Sequence, residues 1–82
     1  MRLITHGNNR TELQYDNGTC VFFSYQTPVA GYTPTESYVK TDKWYSSTTT
    51  RHINRWLEGK PAREVSQQFI NKLQVNWYDQ SI

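Results

Sequence analysis

Up to residue 41 the apolar side chains recur at alternate positions, and after residue 43 their spacing changes to three and four. A period of two sends successive side chains to opposite faces of a strand, whereas spacings of three and four build one face of a helix. The change of period therefore predicts a sheet followed by helices. Residues 2–6 (RLITH) read as a strand ending at Gly7-Asn8-Asn9, residue types that accept the positive φ of a tight turn. Residues 11–15 (TELQY) alternate, with Thr11, Leu13 and Tyr15 on one face. Asp16-Asn17-Gly18 then predicts a type I′ hairpin, whose central positions both need positive φ. Residues 20–25 (CVFFSY) are apolar on both faces, which marks the middle of a sheet or an interface. Thr27-Pro28 interrupts the pattern, because proline offers no ladder donor. Residues 29–33 (VAGYT) and 37–41 (SYVKT) flank a turn at Pro34-Thr35-Glu36.

In the second half Ile53, Trp56 and Leu57 form an apolar helical stripe, with Arg51, Asn54, Arg55 and Glu58 on the opposite face. Gly59 and Pro61 end this helix. A second helix is expected over residues 62–74, with Val65, Phe69, Ile70 and Leu73 buried and Trp77 extending the stripe. The architecture implied is α+β: a small antiparallel meander of four or five strands with two C-terminal helices packed on one face.

The chain has 82 residues, which fits a single domain over residues 1–82 with a thin core. Only 35% of residues are hydrophobic while 15% are aromatic, so burial must lean on Tyr, Trp and Phe, and a homodimer is compatible with so small a core. The net charge of +2 is too weak to demand nucleic acid. One cysteine, Cys20, rules out an internal disulfide. The start of the chain lacks the apolar run of a signal peptide, and no apolar stretch is long enough to cross a bilayer. These features suggest a soluble intracellular protein with no membrane contact.

Little in the pattern resembles catalysis. The seven acidic residues are scattered, no glycine-rich phosphate loop or Ser/His/Asp order is visible, and no cofactor motif is present. His6, His52 and Cys20 fall short of a closed zinc site, so no metal is expected. His52 reads as a packed or hydrogen-bonded histidine, and Cys20 as a buried inert thiol. The hydroxyl run from Ser46 to Thr50 starts the first helix, where a Ser or Thr side chain caps a free backbone N–H. A second reading makes it an anion site, with helix N–H groups, Thr48 and Thr49 joined by Lys43 and Arg51. Arg51 and Arg55 read as a solvated helix face or as a surface for an acidic partner. Tyr32, Tyr38, Trp44 and Tyr45 are interleaved with Lys40 and Lys43. That mixture serves a core or dimer contact, and also the stacking of bases.

The segments LITHGNNRTEL, DNGTCVFFSYQTPVAGY and TTTRHINRWL together resemble a family of small uncharacterised bacteriophage proteins, a domain of unknown function. The resemblance spans residues 3–73 and is most specific in the NGT-x-VFFSY-x-TPVA segment and the T-x-HIN-x-W helix start. It implies a phage-encoded protein acting in the host cytoplasm and brings no catalytic residues with it. The resulting expectation is a non-enzymatic interaction protein that binds, and modulates, a host or phage protein. The alternative is nucleic-acid or nucleotide binding through Lys40, Lys43, Trp44, Thr48, Thr49, Arg51 and Arg55.

Overall fold

The computed structural model describes the backbone of residues 1–80 and the side chains of residues 1–73. Five strands follow one another as β1 (Arg2–Gly7), β2 (Arg10–Gln14), β3 (Cys20–Ser24), β4 (Thr27–Thr33) and β5 (Ser37–Thr41). Helix α1 (Ser47–Leu57) leads into a short strand β6 (Arg63–Val65), and helix α2 (Gln67–Gln80) follows. The sheet is ordered β1-β2-β3-β4-β5-β6. Its first four pairings are antiparallel, while β6 lies parallel to β5, so α1 is the crossover of a β-α-β unit.

The sheet has six strands where four or five are expected. Arg63-Glu64-Val65 is too short to show a period, and Val65 fits the helical stripe equally well, so the sequence pattern assigns it to the second helix. Ser66 separates the two elements: its hydroxyl accepts the N–H of Phe69 at 3.2 Å, capping α2 one residue before Gln67. The expected extension of the stripe to Trp77 concerns a side chain outside the described residues.

The helices do not share a face. Phe22, Val29 and Ala30 bury against Ile53 and Leu57 of α1, with Trp56 packed beside them. Val21, Val39 and Val65 bury against Ile70 and Leu73 of α2. Val21 and Phe22 are neighbours on one strand and point opposite ways, so α1 and α2 lie on opposite sides of the sheet. This corrects the one-face arrangement and gives the physical reason that β3 is apolar on both sides. Both residues are fully buried. On the α2 side, Gly31 allows a close approach: a Cβ there would meet Leu73 Cδ1 at 2.6 Å and the Cys20 carbonyl oxygen at 2.7 Å.

The turn after β2 also differs from the expected type I′. Tyr15 N–H donates to Thr19 O at 2.8 Å, and Gly18 N–H to Tyr15 O at 3.1 Å. Gly18 takes φ +92°, while Asn17 is not in the left-handed region. A single left-handed glycine suits a longer hairpin loop with a bulge. Between Phe22 and Phe23 the β3–β4 register shifts, placing Phe23 opposite Pro28. That bulge is how Pro28 fits inside β4 without a ladder N–H.

Candidate functional site

Helix α1 covers the middle of its face of the sheet and leaves a groove along β1 and β2. Register fixes which side chains line it. Arg10, Glu12 and Gln14 pair with Ser24, Phe22 and Cys20, and all six face α1. The stripe Arg10-x-Glu12-x-Gln14 is polar because it forms the wall of a groove, not because that side of the strand is open solvent.

At the centre of the groove is Glu12, only 7% exposed. Its Oε1 accepts hydrogen bonds from His6 Nε2 at 2.7 Å and Trp56 Nε1 at 3.0 Å, and its Oε2 accepts from Gln14 Nε2 at 3.0 Å. Burial raises the carboxyl pKa, but bonds from Trp56, Gln14, His6 and the Cys20 thiol together outweigh it, and the net shift is downward. Glu12 is thus a satisfied carboxylate that holds Trp56 in place. Trp56 stacks on Phe22 at 5.2 Å between centroids, nearly parallel, and meets Tyr38 edge-on at 5.6 Å. Burial, and then the charge and hydrogen bond of Glu12, push the Cys20 thiol up to about 11, so it stays protonated at neutral pH.

Towards the start of α1 a second polar chain fixes His52. Ser46 caps the helix, its Oγ accepting Thr49 N–H at 3.1 Å. The Ser46 hydroxyl donates to Thr49 Oγ1 at 3.2 Å, Thr49 and Ser24 hydroxyls meet at 3.1 Å, and Ser24 Oγ lies 2.8 Å from His52 Nδ1. These contacts accommodate a run of donated protons from Ser46 through Thr49 and Ser24 to His52. In that arrangement Nδ1 accepts and the imidazole proton sits on Nε2. Burial, followed by the charges of Arg10, Arg51 and Arg55, lowers the His52 pKa and favours this neutral form.

Two adjoining hollows make up the groove. One, of about 310 Å³, is lined by His6, Arg10, Phe22, His52, Arg55, Trp56 and Glu58. The other, of about 350 Å³, shares His6, Trp56 and Glu58 with it and continues to Gln14, Cys20, Tyr32, Tyr38 and Lys60. Among the described residues, no carboxylate lies within ion-pair distance of Arg10, Arg51 or Arg55. Arg10 lies against Gly7, where any Cβ would collide with the guanidinium. Tyr25 stands beside this end, 51% exposed, its ring 5.7 Å from that of His52. It holds φ 58° at the β3–β4 turn, a conformation that glycine adopts more readily.

The residues expected from sequence to form one surface are divided by α1. Lys40, Lys43 and Trp44 come together in a separate hollow of about 210 Å³ on the β5–β6 side, with Asp42 and Glu64 beside them. Lys43 also rests 5.1 Å from the Tyr45 ring centroid. Arg55 lines the other groove, while Arg51 is exposed and reaches Thr48 Oγ1 at 3.4 Å. Thr48 is half-buried, and Thr49 is turned inward to Ser24. The hydroxyl run is thus a cap whose interior end orients a histidine. Arg10, Glu12 and Gln14 escape sequence reading because a polar alternation looks the same on a wall as on an open surface.

Comparison with known proteins adds the family. Residues 1–72 match the model of a family of unknown function, DUF8033. The chain belongs to that family. No curated protein and no solved structure matches it. No helix among the described residues is long and apolar enough to cross a membrane, and none of their His, Cys, Asp and Glu side chains form a group of three suited to a metal ion.

Proposed function

We propose that this DUF8033 chain is a non-enzymatic binding protein, encoded by a bacteriophage and working in the infected cytoplasm, whose ligand carries phosphate as a nucleotide or nucleic acid. Phage origin rests on the resemblance of the strand and helix-start segments alone. The observation that carries the ligand class is the set of three arginines, Arg10, Arg51 and Arg55, gathered around a neutral His52 with no carboxylate among the described residues within ion-pair reach. Guanidinium groups beside the exposed ring of Tyr25 suit phosphate contacts and stacking. The groups that would do chemistry are engaged elsewhere: Glu12 is bonded at both oxygens, Ser24 is 2% exposed, and the Cys20 thiol is protonated.

The test is equilibrium binding of single strands, duplexes and mononucleotides at two salt concentrations. Phosphate contacts release counterions, so affinity falls as salt rises. Absence of binding to all three at low salt overturns the reading.

A second reading is a host or phage protein, or a second copy of the chain, as partner. It is favoured by Trp44, 72% exposed, and by Leu3, 65% exposed on the outermost strand β1. An edge strand offers unpaired backbone groups for strand addition.

A further inference from the structure

The two hollows of the groove differ in chemistry, and that difference gives it a direction. At one end stand Arg10, Arg55 and His52, with no carboxylate among the described residues in ion-pair range. At the other end are Gln14, Tyr32 and Tyr38, whose rings lie 4.9 Å apart, with Lys60 5.7 Å from the Tyr38 centroid. The waist between them carries Glu58 and the edge of the Glu12–His6–Trp56 cluster. Glu58 borders both hollows, so the side with two guanidinium groups, against the single ammonium of Lys60 at the other, is the better place for anionic charge. From Arg10 to Gln14 the strand rises about 13 Å, which accommodates one nucleotide lying along it.

We infer that the groove binds a nucleoside monophosphate, its phosphate held by Arg10, Arg55 and the Nε2–H of His52 and its base in the hollow of Tyr32, Tyr38 and Gln14. This deepens the phosphate reading above and rests on it. Each polar feature then has a use. Guanidinium groups take phosphate oxygens through paired N–H donors. The hydroxyl chain from Ser46 keeps His52 as a donor towards the groove without a second cost of charging it. Gln14 offers an amide beside the tyrosine rings, the kind of group that reads a base edge, and Glu12 anchors its Nε2.

Isothermal titration of the full chain separates the outcomes. The ligands are nucleoside 5′-monophosphates, the matching nucleosides, inorganic phosphate and an eight-nucleotide single strand. One monophosphate is expected to saturate at one per chain. Its nucleoside and inorganic phosphate should each bind about tenfold or more weakly, because each lacks one end of the ligand. The double variant Arg10→Gln, Arg55→Gln should lose about tenfold or more, while Lys43→Gln binds as the parent does. Circular dichroism of both variants should match the parent, since the replaced side chains reach into the groove and onto the surface rather than into the core.

Equal binding of nucleoside and monophosphate overturns the assignment, as does a double variant with unchanged affinity. Binding of the single strand without binding of any monophosphate overturns this inference while leaving the phosphate reading in place. No binding by any ligand removes both.

Discussion

At the scale of residues the groove depends on Glu12, a buried carboxylate with its hydrogen-bonding capacity filled. Replacing it by Ala strands the indole N–H of Trp56 and the amide of Gln14, and should cost about 2–4 kcal/mol in urea unfolding. Glu12→Gln is the sharper probe, because it removes the negative charge that helps raise Cys20. The Cys20 thiol should then titrate below the parent's value of about 11, followed by thiolate absorbance; an unchanged value would mean that burial alone sets it. His52 gives a second residue-level prediction. Its folded pKa lies below the ordinary 6.5, so its contribution is complete above that value and is lost as pH falls towards the folded pKa. Glu12 acts in the same direction in a more acid window, its contribution being complete above 4.5. The urea midpoint should therefore begin to fall below pH 6.5. In His52→Asn, whose Oδ1 can replace Nδ1 as acceptor from Ser24, that first decline should disappear and the decline due to Glu12 remain.

At the scale of elements, α1 was legible because three independent signals agree on it: the stripe of Ile53, Trp56 and Leu57, the hydroxyl run, and the Gly59-x-Pro61 stop. The helix is confirmed with Ser46 as its cap, and Glu58 closes it in the left-handed region. Ser46→Ala should cost about 1 kcal/mol, and Ser46→Gly a few tenths, by thermal or urea unfolding. Equal losses for the two would mean that the hydroxyl bond to Thr49 Oγ1, rather than the cap itself, sets the cost. The first five strands were legible from alternation and turn residues. Strand β6 was not, since three residues show no period and Val65 satisfies a helical stripe as well as a strand. The placement of the helices was misread despite a visible clue. A strand with Val21, Phe22 and Phe23 in succession has apolar groups on both faces, which calls for a layer on each side.

At the scale of the molecule, α1 separates the two-part β1–β2 groove from the hollow on the β5–β6 side. The β5–β6 hollow sets Lys40 and Lys43 beside Asp42 and Glu64, and the β1–β2 groove sets Arg10 and Arg55 beside Glu58; the groove differs in having guanidinium groups, a hydrogen-bonded His52 and an adjoining hollow walled by Tyr32 and Tyr38. Linear sequence separates Arg10 from Arg55 by most of the chain, and only the β2–β3 pairing and the docking of α1 bring them together. That is why the groove could not be read from spacing, while the cluster around Lys43 and Trp44 suggested itself by proximity. The central claim is that the functional surface is the β1–β2 groove. Two-dimensional ¹H–¹⁵N spectra recorded through a nucleoside 5′-monophosphate titration test it most directly. The Trp56 indole N–H and the amides of Arg10, His52 and Arg55 should shift together and saturate while the Trp44 indole stays still. Shifts centred on Lys43 and Trp44, or none that saturate, would contradict it.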